Sequence, residues 1–265
     1  MFENKNPIEK ITSDSGYCGI FRTIGCIGDS LSSGEHESRK NGENGYHDYF
    51  EYSWGQFLGR MIGSTVYNFS CGGMTAEGIV KHQDWDCLNL CAEGRACQAY
   101  TVALGVNDLN RVRNENDPYT FGSIDDVHPE DPEQNAISFA GHMGMVLSHI
   151  KRVQPKARIF LITLPRGSAD EVNEMADRHR QLMYELAEKF DFTYVIDLRR
   201  FAPIYDEEFR RIHYVGFHMN ALGYLFTAKM IMNYIDAIIR EKPEDFAQVA
   251  FIGRENDLHN ENYVW

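Results

Sequence analysis

The stretch IFRTIGCIGDS, residues 20–30, decides the fold. Its first part, IFRTIGCI, is a mostly apolar run, and Gly28-Asp29-Ser30 ends it. A short apolar run that stops at a glycine is typical of a buried β-strand followed by a tight turn. We therefore predict a strand over residues 20–27 that leads into a turn carrying Ser30.

The same pattern returns along the chain. Further runs of strand-forming residues occupy 65–69, 100–104, 158–164 and 193–198, and helical spacing of apolar residues occupies 52–62, 135–153, 170–190 and 221–239. Strands that are apolar throughout and alternate with helices indicate a parallel sheet covered by helices on both faces. The expected fold class is therefore α/β, with three layers in the order α/β/α.

The polar segments between these elements suggest how the rest of the chain is organised. Residues 35–50 are polar and are predicted to form a loop, and residues 110–135 are predicted to form a second, longer loop. We find no repeat and no linker rich in Pro, Gly or Ser, so a single domain over residues 1–265 is expected. Residues 1–19 and 243–265 are interpreted as terminal extensions of that domain.

Charge and cysteine content exclude several classes of function. The chain of 265 residues holds 26 Lys and Arg against 39 Asp and Glu, a net charge of −13, which disfavours nucleic acid and anionic membranes as partners. No apolar window of about 18 residues exists that would predict a membrane span. The six cysteines and a start without an apolar run favour reduced thiols in a cytoplasmic protein. Cys87, Cys91 and Cys97 lack the spacing of a zinc site, so no metal is expected.

Candidate functional residues follow the predicted strands. Ligands of such sheets bind beyond the carboxyl ends of the strands. The predicted strand ends are followed by Ser30, Gly73 and Asn107, and the last helix is preceded by His218. Ser30 offers a nucleophile and His218 a base. The N–H groups of Ser30 and Gly73 and the Asn107 amide would form an oxyanion hole, which completes the set needed for acyl transfer. Each residue alone has a plainer alternative as a helix cap, a turn residue or a packed histidine.

Four segments of the sequence resemble the sequence blocks of the SGNH hydrolases, also called GDSL esterases and lipases. They are GCIGDSLSSG (25–34), NFSCGGMT (68–75), LGVNDLN (104–110) and GFHMNALGY (216–224), and they occur in the family's order. The resemblance implies a flavodoxin-like α/β/α fold and ester hydrolysis without a metal or organic cofactor. It also implies that Ser30 and His218 are catalytic and that Ser30, Gly73 and Asn107 form the oxyanion hole.

One position departs from the family pattern. The family usually has Asp three residues before the histidine, where this sequence has Val215. We favour a Ser-His dyad in which a backbone carbonyl meets the ring nitrogen of His218 that faces away from Ser30. The alternatives are a carboxylate from elsewhere, with Asp197, Asp206 and Glu207 as candidates, or a weakened or inactive relative.

The function predicted on these grounds is a serine esterase. The absence of an apolar lid segment favours a small acyl group, such as acetyl on a carbohydrate or a small metabolite, over a long fatty chain. His213 is a rival base, but its spacing to the residues that follow does not fit the family block. The alternative from another class is a non-catalytic ligand-binding protein of the same fold. A nucleotide-binding protein is disfavoured because GCIGDS matches neither phosphate-binding glycine motif.

Overall fold

The computed structural model describes residues 6–9, 14–168 and 170–253. The strands are β1 Thr23–Gly28, β2 Glu35–Lys40, β3 Glu43–Asp48, β4 Thr65–Ser70, β5 Ala99–Ala103, β6 Arg158–Ile162, β7 Thr193–Ile196, β8 Tyr214–Val215 and β9 His218–Met219. The helices are α1 Ser30–Ser33, α2 Trp54–Ile62, α3 Ala76–Lys81, α4 Val106–Val112, α5 Phe139–Val153, α6 Asp170–Lys189, α7 Leu198–Phe201, α8 Glu207–His213, α9 Ala221–Glu241 and α10 Pro243–Phe246.

A parallel sheet of five strands in the order β4-β1-β5-β6-β7 forms the centre of the molecule. Its middle strands are buried on both sides, which explains their unbroken apolar sequence. One face packs against α2 and α9 through residues such as Leu58 and Ile231. The other packs against α3, α5 and α6 through residues such as Ile79 and Leu186. The predicted α/β fold with three layers is confirmed.

The order of the strands places the candidate site. In the register of the sheet, β1 lies between β4 and β5, so that Gly28 pairs with Ser70 on one side and with Ala103 on the other. Because parallel strands end at the same edge, the segments that follow these three strands emerge next to one another. These segments carry Gly73, Ser30 and Asn107.

The segment 35–50 is not the loop that its polar composition predicted. β2 and β3 form an antiparallel hairpin, and Asn41 and Gly42 connect them with φ angles of 55° and 87°. Asn-Gly is the preferred pair for a two-residue hairpin turn because both residues tolerate positive φ. The prediction failed because both strands are largely exposed and therefore lack the alternation of apolar and polar residues.

The described parts of both terminal segments pack on the body of the protein. The short helical turn Gly16–Ile20 buries Cys18 against α9, and α10 buries Phe246. The remainder of the predicted extension 243–265 lies outside the described residues beyond Gly253. Within the described ranges, no helix is both long and apolar enough to cross a membrane.

Candidate active site

Ser30 is the first residue of α1 and follows β1 directly. Asp29 caps this helix, and its carboxylate accepts a hydrogen bond of 3.0 Å from the backbone N–H of Leu31. Burial raises the pKa of Asp29 to about 6. Asp29 therefore shapes the turn that presents Ser30, as an N-cap residue does.

Gly73 and Asn107 are joined by the turn that follows β4. Gly73 has a φ of 74°, a conformation that favours glycine, and a Cβ added there would meet no atom within 4 Å. The Asn107 side-chain nitrogen donates to the Met74 carbonyl oxygen over 2.9 Å. An amide NH₂ group has two hydrogens, so this bond fixes the orientation of Asn107 and leaves one N–H for a ligand.

Asp108 stabilises the region around Gly73 and Asn107. Its buried carboxylate accepts hydrogen bonds from the Ala76 N–H at 2.9 Å and from the Tyr119 hydroxyl at 3.2 Å. Burial raises its pKa to about 7. Asp108 thus holds the start of α3 against α4, next to Gly73 and Asn107.

Both ring nitrogens of His218 meet carboxylates of β2. His218 Nδ1 lies 2.7 Å from Glu37 Oε1, and His218 Nε2 lies 3.0 Å from Glu35 Oε1. The predicted contact with a backbone carbonyl is therefore wrong. Val215 pairs with His218 across the β8–β9 hairpin and is half exposed. Carboxylates of the β2–β3 hairpin contact His218 instead of a side chain at position 215.

Glu37 is firmly held beside His218. The backbone N–H of Phe217 donates to the same carboxylate oxygen over 2.6 Å, and the Glu37 side chain is only 6% exposed. Burial alone would raise the pKa of Glu37, but the hydrogen bonds from His218 and Phe217 outweigh burial and hold it below its ordinary value. Gly216, at φ 65°, leaves room for this carboxylate, because a Cβ there would collide with it. The ring of Tyr46, which is paired with Glu37 on β3, packs edge-on against His218.

Glu35 lies on the opposite side of the imidazole. Its carboxylate also packs against Gly72, where a Cβ would collide with it. Burial raises the pKa of Glu35, the His218 ring opposes this rise, and the nearby carboxylates of Asp48 and Glu37 add to it. Its backbone carbonyl accepts a hydrogen bond of 2.6 Å from the Tyr224 hydroxyl.

Ser30 and His218 belong to adjoining elements, since α1 packs against β9. The two are close enough that the charge of His218 lowers the pKa of Asp29, the neighbour of Ser30, although burial dominates that pKa. Among the described residues, no hydrogen bond joins the Ser30 hydroxyl to His218. The Nε2 atom that would accept the serine proton lies 3.0 Å from Glu35 Oε1 instead.

The carboxylates proposed from the sequence as substitutes for the missing Asp have other partners. Asp197 accepts hydrogen bonds from Arg180 and Tyr184, and Asp206 caps α8. Glu207 lies in the first turn of α8. These candidates were wrong. Glu35 and Glu37 were missed, although the Asn-Gly turn could have indicated the hairpin that carries them.

The structure also shows the surroundings of His213 and of the cysteines considered from the sequence. His213, the rival base, stacks on Phe226 with ring centroids 5.4 Å apart, and burial lowers its pKa. Of the cysteines considered for a metal, Cys91 lies 3.0 Å from His149, whereas Cys97 hydrogen-bonds to the Arg95 carbonyl. Within the described residues, no group of three or more His, Cys, Asp or Glu could hold a metal ion.

A small apolar cavity lies beneath α1. Its volume is about 80 Å³, and its walls include Leu31, Ala103, Leu164, Met219 and Ile231. These residues come from α1, β5, the segment that follows β6, β9 and α9. The cavity therefore adjoins the segments that carry Ser30 and His218.

Known structures share this architecture at low sequence identity. The family 3 carbohydrate esterase of Clostridium thermocellum is 16% identical, with a TM-score of 0.54, 83% of this chain covered and 98% of that chain. A carbohydrate esterase family 2 enzyme of Corynascus thermopiles, which includes a carbohydrate binding domain, is 14% identical, with a TM-score of 0.56, 83% of this chain covered and 67% of that chain. These similarities concern the fold.

The sequence itself carries the assignment. No protein of curated function matches it. Residues 26–225, however, match the profile of the GDSL-like Lipase/Acylhydrolase family. This range includes the turns with Ser30, Gly73 and Asn107, the β2–β3 hairpin and His218. The chain belongs to the GDSL-like lipase/acylhydrolase family.

Proposed function

We propose that this protein is a serine esterase that hydrolyses a carboxylic ester through an acyl-enzyme on Ser30. Family membership supports an esterase or acylhydrolase activity. The observation that carries the proposal is the 2.7 Å contact of His218 Nδ1 with the carboxylate of Glu37, in the strand next to the helix that begins at Ser30. A histidine oriented by a buried carboxylate beside a serine at a helix start is the arrangement that activates a serine nucleophile.

The chemistry has two halves. Ser30 Oγ attacks the ester carbonyl carbon, and His218 Nε2 accepts the serine proton. The resulting oxyanion accepts hydrogen bonds from the N–H groups of Ser30 and Gly73 and from the free N–H of the Asn107 amide. As the carbon–oxygen bond to the alcohol breaks, Nε2 returns the proton to the alcohol. Water then attacks the acyl-serine with His218 again as the base, and the acid and free Ser30 are released.

Glu37 is the positioning residue in this scheme. When His218 Nδ1–H donates to Glu37, the proton of a neutral imidazole is on Nδ1, and Nε2 is the basic nitrogen. The same carboxylate stabilises the imidazolium that forms when Ser30 loses its proton. The Phe217 N–H and the lack of a side chain at Gly216 keep Glu37 in this place.

The proposed substrate is a short-chain ester of a carbohydrate or of a small metabolite. The cavity of about 80 Å³ beneath α1 has room for an acyl group of a few carbon atoms, and its walls are mostly apolar. The carbohydrate esterases of similar fold suggest the class of alcohol.

The first experiment is hydrolysis of p-nitrophenyl esters from acetate to octanoate. We expect turnover of the shortest esters, and a loss of activity in Ser30→Ala of at least about 10³-fold, because removal of a nucleophile abolishes the covalent path. Ser168→Ala, which changes an exposed serine after β6, is the matched control and should keep full activity. Equal turnover by Ser30→Ala and the wild type would contradict the proposal.

A non-catalytic ligand-binding protein is the second candidate. The contact between Glu35 and His218 Nε2 favours it, because that contact engages the nitrogen that a base needs. A folded protein that binds an acetylated sugar in calorimetry, yet neither hydrolyses any ester nor reacts with a fluorophosphonate at Ser30, would establish this candidate.

A further inference from the structure

The carboxylate of Glu35 bridges two parts of the proposed catalytic site. One oxygen lies 3.0 Å from His218 Nε2, and the carboxylate packs on Gly72, the residue before Gly73. Glu35 therefore fills the space between the base and the turn that supplies an oxyanion donor. Its side chain is 14% exposed, so this space is near the surface.

An ester needs the same space. Its carbonyl oxygen must reach the donors around Gly73, and His218 Nε2 must turn to the hydroxyl of Ser30. The Glu35 carboxylate and a reacting ester therefore exclude one another, and each substrate has to displace this carboxylate from Nε2.

The displaced carboxylate remains beside the bound substrate. Glu35 begins β2, and its backbone is tied to α9 by the Tyr224 hydroxyl, so only the side chain is free to turn. Asp48 and Glu37 place further negative charge nearby. A carboxylate that has lost its partner in such a place needs a hydrogen-bond donor, and an unsatisfied one carries a large energetic penalty.

We propose that Glu35 is a specificity-determining residue, which admits esters with hydroxyl groups next to the acylated oxygen and disfavours esters without such donors. This inference rests on the proposed esterase function. A hydroxyl on the substrate then donates a hydrogen bond to the Glu35 carboxylate, in the place that the imidazole ring has left. An ester of an aromatic or aliphatic alcohol without further hydroxyl groups has no hydrogen-bond donor for Glu35. An anionic substrate is repelled by the carboxylates.

The test compares two acetates, p-nitrophenyl acetate and a glucose monoacetate. We expect Glu35→Ala to raise kcat/KM for p-nitrophenyl acetate roughly tenfold and to lower it for the sugar acetate roughly tenfold, the size of one hydrogen bond to a charged group. Glu35→Gln keeps the shape without the charge and should shift the ratio of the two substrates in the same direction. Glu43→Ala, at the exposed end of the hairpin, is the charge-matched control and should leave the ratio unchanged.

Other outcomes overturn the proposal. A parallel rise for both acetates would make Glu35 a simple obstruction, and a parallel fall would place it in the chemical step. An unchanged ratio would also reject its role in specificity.

Labelling of Ser30 by a fluorophosphonate separates this inference from the proposed function. The reagent needs the nucleophile and the base but no hydroxyl on the substrate. Wild-type protein that is neither labelled nor active would reject the esterase itself. Wild-type protein that is labelled and active, but whose substrate ratio does not respond to Glu35→Ala, would reject only the role of Glu35.

Discussion

At the scale of single residues, the acid partner of His218 defines the site. The proton-accepting power of an imidazole depends on what its other nitrogen contacts, and Glu37 makes that contact at 2.7 Å with a pKa held below its ordinary value. Glu37 thus stays ionised at neutral pH. In the proposed mechanism it takes the role of the Asp that the family usually has at the position of Val215.

We expect Glu37→Gln to lower kcat of ester hydrolysis by about 10²–10⁴-fold, because the amide no longer stabilises the imidazolium. KM should change little, since Glu37 acts through His218 and not on the substrate. Steady-state kinetics over pH 5 to 9 would measure both parameters. The Gln variant should also show a displaced acidic limb of the pH profile, whereas a merely structural role would scale the whole profile evenly.

Glu37→Asp provides the control for this variant. It keeps the charge but shortens the side chain by one methylene, so part of the activity should return relative to Gln. Full activity of Glu37→Gln would contradict the role of Glu37 and would leave His218 to act as the base without a carboxylate.

The sequence allowed us to predict the site residues that follow the strands, but not the carboxylate that contacts His218. Ser30, Gly73 and Asn107 come directly after apolar runs whose ends a parallel sheet brings together. The contact between Glu37 and His218 spans 181 positions and joins two hairpins. Neither hairpin has an apolar pattern, so nothing in the order of residues shows that they meet.

At the scale of elements, the β2–β3 hairpin is an addition to the sheet rather than part of it. Among the described strands, β2 and β3 pair only with each other, and most of their residues are exposed. The backbone N–H of Tyr49 donates to the Gly34 carbonyl over 3.1 Å, which closes the base of the hairpin. The hairpin thus contributes little to the core but supplies both carboxylates of the site.

Replacing residues 35–48 by a short glycine linker should therefore separate function from stability. We expect the variant to keep cooperative unfolding, with a melting temperature lower by only a few degrees, because the two apolar cores contain no residue of this segment. Ester hydrolysis should fall at least as far as in Glu37→Gln. Circular dichroism and the p-nitrophenyl acetate assay measure the two properties.

The same excision tests the Ser-His dyad. A shortened protein that remains folded and hydrolyses esters at the wild-type rate would show that the turn with Ser30 and the β9 histidine suffice. Insertion of the linker after Lys40, which lengthens the hairpin tip without removing Glu35 or Glu37, is the control and should keep activity.

At the scale of the whole molecule, the central sheet is regular, whereas the segments at the carboxyl ends of its strands are irregular. The strands and long helices followed from apolar periodicity, with ends displaced by a few residues, because burial imposes that periodicity. The short helices α3, α4, α7 and α8 were missed, since segments of four to seven residues carry too few turns for a helical pattern. These short elements and the hairpins build the site, which is why the fold was predictable further than the site.

The stability of the whole protein should depend on pH through Asp108. Burial raises its pKa from 3.8 to about 7, so the folded protein binds this proton more tightly than the unfolded chain does. The stabilising contribution is complete below about pH 4 and disappears as the pH rises through about 7. Asp108→Asn keeps an acceptor oxygen for the Ala76 N–H and cannot lose a proton. Relative to the wild type, the unfolding free energy of Asp108→Asn should therefore rise by a few kcal/mol between pH 4 and pH 8. This size follows from about 1.4 kcal/mol for each unit by which the pKa of Asp108 differs between the folded and the unfolded chain.

Urea denaturation of both proteins at several pH values measures this difference. Asp125→Asn, at an exposed position, is the control and should give a nearly constant difference. Comparing each variant with the wild type cancels the titration of groups that do not interact with Asp108. Asp29 is not among these groups, because its charge contributes to the raised pKa of Asp108. A difference for Asp108→Asn that stays constant from pH 4 to pH 8 would mean that this carboxyl is ionised throughout. In that case the hydrogen bonds from Ala76 and Tyr119 would outweigh its burial.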